Sequence, residues 1–321
     1  MDPRTSLLQA GRWRLWEPLL WLAAFAMPML VPGHSLLVSE IAIVALFALS
    51  LDLILGYTGI VSLGHAAFFG IGAYAAALFA KMVMPDPLVG LLVAMGVATA
   101  LGAVCSLTIM RGSDLTRLMV TLGVALILLE LANKLDWLTG GADGLQGVIM
   151  GPVLGRFEFD LTGRTAAYYA LVVCLLFFLL MRRLVASPFG ATLMAIRDNR
   201  LRAMAIGIPV HARLAVIYTV AAGVAGVAGG LLAQTTGFAS LDLFALDRSA
   251  DLMLMLVIGG TGWLWGGIAG AIVFKLMHNV ISSITPQYWT FWIGLFLVVL
   301  VVVGRDRLLR PWTWWGKGRA S

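Results

Sequence analysis

Seven ionisable residues fall inside otherwise apolar stretches of this sequence: Glu40, Asp52, His65, Glu130, Asp251, Lys275 and His278. A charge held in hydrocarbon costs about 2.5–3.5 kcal/mol on insertion scales, so each needs a partner, interfacial water or a task. Glu40, Glu130 and Asp251 lie near the ends of their stretches and Asp52 near the inner end of its own, so these read as structural. His65 is the better candidate for function. It sits in "SLGHAAFFGIGAYAAALFA", where Ala66, Gly70 and Tyr74 recur every four residues and Gly72 with Ala76 makes a second small face. Such faces let helix backbones approach closely. Ser62 and His65 are therefore candidates for a gate near the inner surface, or parts of a packing motif in which the ring bonds a neighbouring carbonyl. A second feature is the glycine run Gly259, Gly260 and Gly262, followed by Gly266 and Gly267. Backbone freed inside a membrane protein offers dipoles to a zwitterionic substrate, or only permits a sharp return.

No pattern supports catalysis. Ser, His and Asp are scattered, and no His or Cys group has metal-ligand spacing. Cys105 and Cys174 lie within apolar spans and read as small packing residues. The phosphate-cradling pattern G-x-x-x-x-G-K-[ST] is absent from the sequence, so any ATP that drives this protein is bound by another polypeptide. The chain is read as having no catalytic residue, metal or cofactor of its own.

The elements that must hold these residues are apolar helices. Of 321 residues, 61% are hydrophobic and 12% charged, against about a quarter charged in soluble domains. Ten hydrophobic segments stand out, at roughly 16–32, 37–55, 60–80, 88–109, 118–133, 165–181, 214–235, 250–261, 265–281 and 288–304. Most approach the ~20 residues that a ~30 Å hydrocarbon layer requires. They predict an all-α polytopic membrane protein with eight to ten crossings; the short alternating strands of a barrel are missing. The eighth segment is too short to cross straight and runs into the glycines, which predicts a broken helix near residues 250–267. Ala222, Gly226 and Gly230 repeat the small-every-four pattern in the seventh. Ala24-Phe25-Ala26 resembles a signal-peptide cleavage site, but the apolar stretch continues past it, which predicts a retained first helix.

The net charge of +6 raises nucleic acid as a partner, but its distribution points to membrane topology. With the N-terminus inside, sixteen Lys and Arg fall in inner loops and tails: Arg4, Arg12, Arg14, Arg111, Arg117, Arg182, Arg183, Arg197, Arg200, Arg202, Arg213 and five beyond position 304. Five fall outside: Lys81, Lys134, Arg156, Arg164 and Arg248. The positive-inside rule then places both termini in the cytoplasm. The layout expected is a cytoplasmic tail at 1–15, a membrane domain at 16–304 and a basic cytoplasmic tail at 305–321. Trp312, Trp314 and Trp315 in that last tail suit an interfacial anchor. Two loops are long, an outer one at 134–164 and an inner one at 182–213.

The inner loop holds "SPFGATLMAIRDNRLRAMAIGIP", residues 187 to 209. Ser187-Pro188 is a helix start, and Gly207 with Pro209 is a helix stop. Met194, Leu201, Met204 and Ile208 form a narrow apolar stripe, with Arg197, Arg200 and Arg202 on the polar side. Asp198 and Arg202 are spaced to pair at i, i+4. Asp198-Asn199 equally suits the cap of a second, shorter helix, so one bent helix and two both fit. The segment reads as a basic helix on anionic headgroups, or as a docking helix for a cytoplasmic partner.

The stretch "SPFGATLMAIRDNRLRAMAIGIPVHARL" resembles the cytoplasmic coupling segment of the membrane subunits of branched-chain amino-acid ABC importers. "LILGYTGIVSLGHAAFFGIGAYAAAL" resembles that family's N-terminal signature, "LMLMLVIGGTGWLWGGIAGA" its C-terminal glycine-rich one, and "TGGADGLQG" its outer loop. The resemblance covers roughly residues 37 to 304. It implies a bacterial inner-membrane machine with a second homologous permease subunit, two cytoplasmic subunits that bind ATP and magnesium, and a periplasmic substrate-binding protein. By the same resemblance, Arg197, Asp198, Asn199, Ala203, Gly207 and Ile208 take the coupling role. Arg200 departs from the acidic residue the family often has there. Branched-chain or other hydrophobic amino acids are the implied cargo, with urea, short amides or other small acids handled by related permeases. A stand-alone secondary transporter or channel is the competing class.

Overall fold

The computed structural model describes residues 16–109, 112, 114–160 and 162–303. The expected tails, Arg111 and the tryptophans at 312, 314 and 315 lie outside them. In chain order the helices are α1 (Trp16–Leu30), α2 (Ser35–Thr58), α3 (Ala66–Met82), α4 (Pro87–Ile109), α5 (Asp114–Lys134), the single turn α6 (Asp136–Thr139), α7 (Arg164–Val185), α8 (Pro188–Asp198), α9 (Arg200–Ala205), α10 (Val210–Thr236), α11 (Leu246–Gly259), α12 (Leu264–Ile284) and α13 (Trp289–Val303). No strand occurs among the described residues; the nearest features are isolated bridges, Leu145 with Ala239 and Val153 with Phe157.

Each of the ten apolar segments overlaps a helix, but among the described residues six helices are long and apolar enough to cross a membrane: α2, α4, α5, α7, α10 and α12. Helices α1, α3, α11 and α13 have 15, 17, 14 and 15 residues, so length alone does not establish eight to ten crossings. The third segment starts later than expected. Gly59, at φ +74°, stops α2 in the left-handed conformation. Residues 60–65 then run non-helically through the interior, with Ile60, Ser62 and His65 buried. The broken helix is also more compact than expected: only Gly260–Trp263 are non-helical between α11 and α12.

Helix α10 is the centre of the bundle, packed against α4, α3 and α2. Lipid is as apolar as leucine, so helices in a membrane are held by close fit rather than by exclusion of water. The small residues of α10 provide that fit. A Cβ placed on Gly226 would run into Ala98 of α4, and one on Gly72 of α3 would run into the Gly226 backbone. A Cβ on Gly229 would strike the Phe69 carbonyl oxygen. The small-every-four patterns of both sequence stretches are thus packing surfaces.

One end of the bundle holds the basic insert. The opposite end is closed by the 134–164 loop, in which Leu145 and Ala239 exchange backbone hydrogen bonds and Gly151 N–H donates to the Pro85 carbonyl at 2.7 Å. Gln234 Nε2 donates to the Pro87 carbonyl at 2.8 Å, and Tyr169 donates to Gln234 Oε1 at 2.9 Å, which pins the end of α10.

Overpacking such a contact costs about 1–3 kcal/mol. Gly226→Val should lower the thermal unfolding midpoint in detergent. Gly96→Ala, whose Cβ would meet nothing within 4 Å, should leave it unchanged or raise it.

Candidate functional site

The insert folds as two helices. Ser187 Oγ accepts from Gly190 N–H at 3.5 Å and Pro188 occupies the first turn, so α8 starts as its sequence dictates. Asn199 is extended, at φ −158° and ψ 102°, and ends α8. Its side-chain oxygen then accepts from Arg202 N–H at 2.9 Å and caps α9. The expected Asp198–Arg202 pair does not form, because the extended Asn199 takes residues 198 and 202 off a common helical turn. Gly207, at φ +84°, closes α9: its N–H donates to Met204 and that of Ile208 donates to Ala203. That is the Schellman arrangement, in which a left-handed glycine satisfies the last carbonyls.

The faces of this helix pair divide clearly. Leu193 and Ile196 of α8 and Ala203 of α9 are buried against the bundle. Met194, Leu201, Met204 and Ile206 are exposed, Leu201 at 76%. The sequence stripe therefore does not rest on the membrane domain, although Ile208 is half-buried. Arg197 is turned the other way. Its guanidinium donates to the Gly56 carbonyl at the end of α2.

The glycine turn meets the insert at this same point. Gly262 N–H donates to Asp52 Oδ1 at 2.8 Å, and Asp52 lies one turn before Gly56 on α2. Gly262 has φ +77°, and a Cβ there would come within 2.8 Å of the Arg197 guanidinium. Gly259 backs directly onto Gly266, and Gly270 onto the Met255 carbonyl, so α11 and α12 form a hairpin with its backbones in contact. Gly259, Gly260 and Gly262 thus sit at the apex of a tight return, at the basic end of the bundle.

The family model described as "Branched-chain amino acid transport system / permease component" matches residues 35–303. The chain belongs to that family. It is similar to the high-affinity branched-chain amino acid transport system permease protein LivM of Escherichia coli (strain K12), 25% identical over 92% of this chain and 74% of that protein. The probable LivM of Methanocaldococcus jannaschii is 23% identical over 80% of this chain and 86% of its own length. The fructose import permease protein FruG of Bifidobacterium longum is 27% identical over 47% of this chain and 45% of its own length. No solved structure matches. The chain is a LivM-like, multi-pass membrane permease.

In the permease, His65 is fully buried immediately before α3. Its Nε2 and the Ser50 hydroxyl are 2.8 Å apart, and its ring lies flat on Phe47 and edge-on to Phe68. Ala66 N–H donates to Ser249 Oγ of α11 at 3.0 Å. His65 thereby joins α2 to α3, through a serine hydroxyl rather than the expected carbonyl. Ser62 is also buried. Neither lines an open passage in this single chain, and neither touches the Arg197 cluster. Of the other intramembrane ionisable residues, all but Asp251 have a neighbour of this kind. Lys275 pairs with Glu40 at 3.0 Å, Lys134 lies 3.7 Å from Glu130, and His278 packs edge-on against Trp289.

Sequence reading took Asp52 as a structural acid near the end of its stretch and passed over Gly56. Asp52 was visible as a lone acid in "LDLILGYTG", but nothing local says that its partner lies 210 residues away. It also passed over the buried pair Glu17–Arg182, which ties α1 to α7.

Loss of an N-cap costs about 0.5–2 kcal/mol. Asn199→Ala should speed amide hydrogen exchange across residues 200–205 and leave α10 protected as before.

Proposed function

We propose that this permease is one membrane subunit of an ATP-driven importer for branched-chain and other hydrophobic amino acids. The segment 187–209 faces the cytoplasm and docks in a groove of an ATP-binding subunit. A second homologous permease subunit, two ATP-binding subunits and a periplasmic binding protein complete the assembly. ATP and magnesium belong to the ATP-binding subunits. Both termini are cytoplasmic, and the chain crosses the membrane eight to ten times.

The observation that supports docking is the exposed row Met194, Leu201, Met204 and Ile206 on helices anchored from their other side by Leu193, Ile196 and Ala203. An amphipathic helix that buries one apolar face at home and offers another is built for a groove. The arginines around it stand at the same end as Arg182, Arg183 and Arg213, as the positive-inside rule requires of a cytoplasmic face. At the other end an open polar cavity of about 430 Å³ is lined by Lys81, Asp136, Asp143 and Gln146 among others, and this end faces the binding protein. Amino acids are favoured as cargo because the similarity to LivM spans nearly the whole chain, whereas that to the fructose permease spans less than half.

The Lys275–Glu40 pair favours a second reading, an ion-coupled transporter that works alone. Glu40 is half exposed in the single chain, six residues into α2.

In proteoliposomes holding the complete set of subunits, leucine uptake should follow ATP and should ignore proton and sodium gradients. Uptake by this chain alone along such a gradient would establish the second reading. Leu201→Asp should weaken capture of the ATP-binding subunit by about 10- to 100-fold, the value of one buried leucine side chain.

A further inference from the structure

Three stretches far apart in sequence meet at one point: the end of α2, the end of α8 and the apex of the α11–α12 hairpin. The contacts are few and short. Arg197 donates to the Gly56 carbonyl, Gly262 N–H donates to Asp52 Oδ1 at 2.8 Å, and Asp52 is fully buried. The Asp52 Oδ2 has no hydrogen-bond partner, and Arg197 is the cation whose field reaches this carboxylate. Glycine is required on both sides of the contact. A Cβ on Gly56 would fall onto Asp52 Oδ1 and the Gly262 nitrogen, and one on Gly262 would lie 3.1 Å from the Gly56 oxygen.

The hairpin cannot absorb a push at its apex by bending. Gly259 on Gly266 and Gly270 on Met255 hold α11 and α12 backbone to backbone, with no side-chain layer between them to slide. Nor can α8 absorb it, since α8 is capped at its start and seated on Leu193 and Ile196. A displacement of α8 therefore reaches the hairpin through Arg197 and Asp52. Asp52 accepts the Gly262 N–H from within the interior and Arg197 donates to the Gly56 carbonyl one turn further along α2, so breaking either contact leaves a buried polar group without its partner.

We infer that Arg197 and Asp52 form the joint through which the docking segment moves the α11–α12 hairpin, which makes both of them positioning residues for translocation. The inference rests on the docking role given to residues 187–209. Its specific content is the route: through the Gly56–Gly262 contact, and not through the chain that leads from α9 directly into α10.

The test uses the complete reconstituted importer, with a cysteine at position 201 to crosslink the ATP-binding subunit. Arg197→Ala and Asp52→Asn should keep the crosslink but raise the ATP hydrolysed per leucine transported by about tenfold, the order of a coupling energy between sites. Arg197→Lys, which keeps the charge and one donor, should recover part of that ratio. Arg183→Ala, an exposed arginine at the same end, should leave it unchanged. A wild-type ratio in Arg197→Ala overturns the joint. Loss of the crosslink in Arg197→Ala also overturns it, since Arg197 would then act on docking itself. If the protein with Arg197 intact never captures an ATP-binding subunit, the docking reading fails first and the joint with it. Thermal unfolding of Asp52→Asn separates a lost joint from a lost fold, and Arg197 variants, altered at the surface end of the contact, supply the answer if that protein is unstable.

Discussion

Close approach of backbone to backbone is the constraint on which this bundle depends. In a bilayer no water is displaced when two helices meet, so contact must come from fit. The central helix α10 meets this by presenting glycine and alanine to α3 and α4, and α11 meets α12 in the same way. Those glycines are costly as helix formers, roughly 1 kcal/mol each relative to alanine. They persist where a Cβ would strike neighbouring backbone, at Gly72, Gly229, Gly259 and Gly270. A bundle held by so many exact fits moves as blocks, because packed backbones offer no soft layer.

Irregular backbone is the second consequence. Non-helical segments inside a membrane protein survive only where other groups satisfy them. The stretch 60–65 is largely enclosed, whereas the turn 260–263 keeps Thr261 and Trp263 exposed at the surface of the bundle. Ser249 receives the first N–H of α3, and Asp52 receives that of Gly262. Each of these partners is a buried polar side chain placed where the neighbouring chain is not helical. Ser249 and Asp52 are therefore explained by the backbone they complete.

The sequence made much of this legible. The all-helical membrane class, the helix start at Ser187-Pro188, the stop at Gly207 and the packing role of Ala222, Gly226 and Gly230 were all readable, because each follows from a local pattern with a local cause. The start of α3 was not, since nothing near Ile60 shows that the chain will stay non-helical until His65 meets Ser50 and Ala66 meets Ser249. The Asp198–Arg202 pair was misread because spacing alone assumes one continuous helix, while Asn199 could cap a second. Asp52 was correctly placed near a helix end but not matched to Gly262. Partners separated by 210 residues leave no trace in periodicity, and a buried acid looks alike whether it meets water or an amide.

The capped ends of α8 and α9 have a bearing on biogenesis. A segment that needed its partner in order to fold would be frayed until the two met, and would lose part of the encounter's free energy in ordering. Here Ser187, Asn199 and Gly207 set the shape from within the chain. On the docking role proposed for this segment, newly inserted polypeptide waits in the bilayer with its landing surface already formed, whatever the order in which its partners are made.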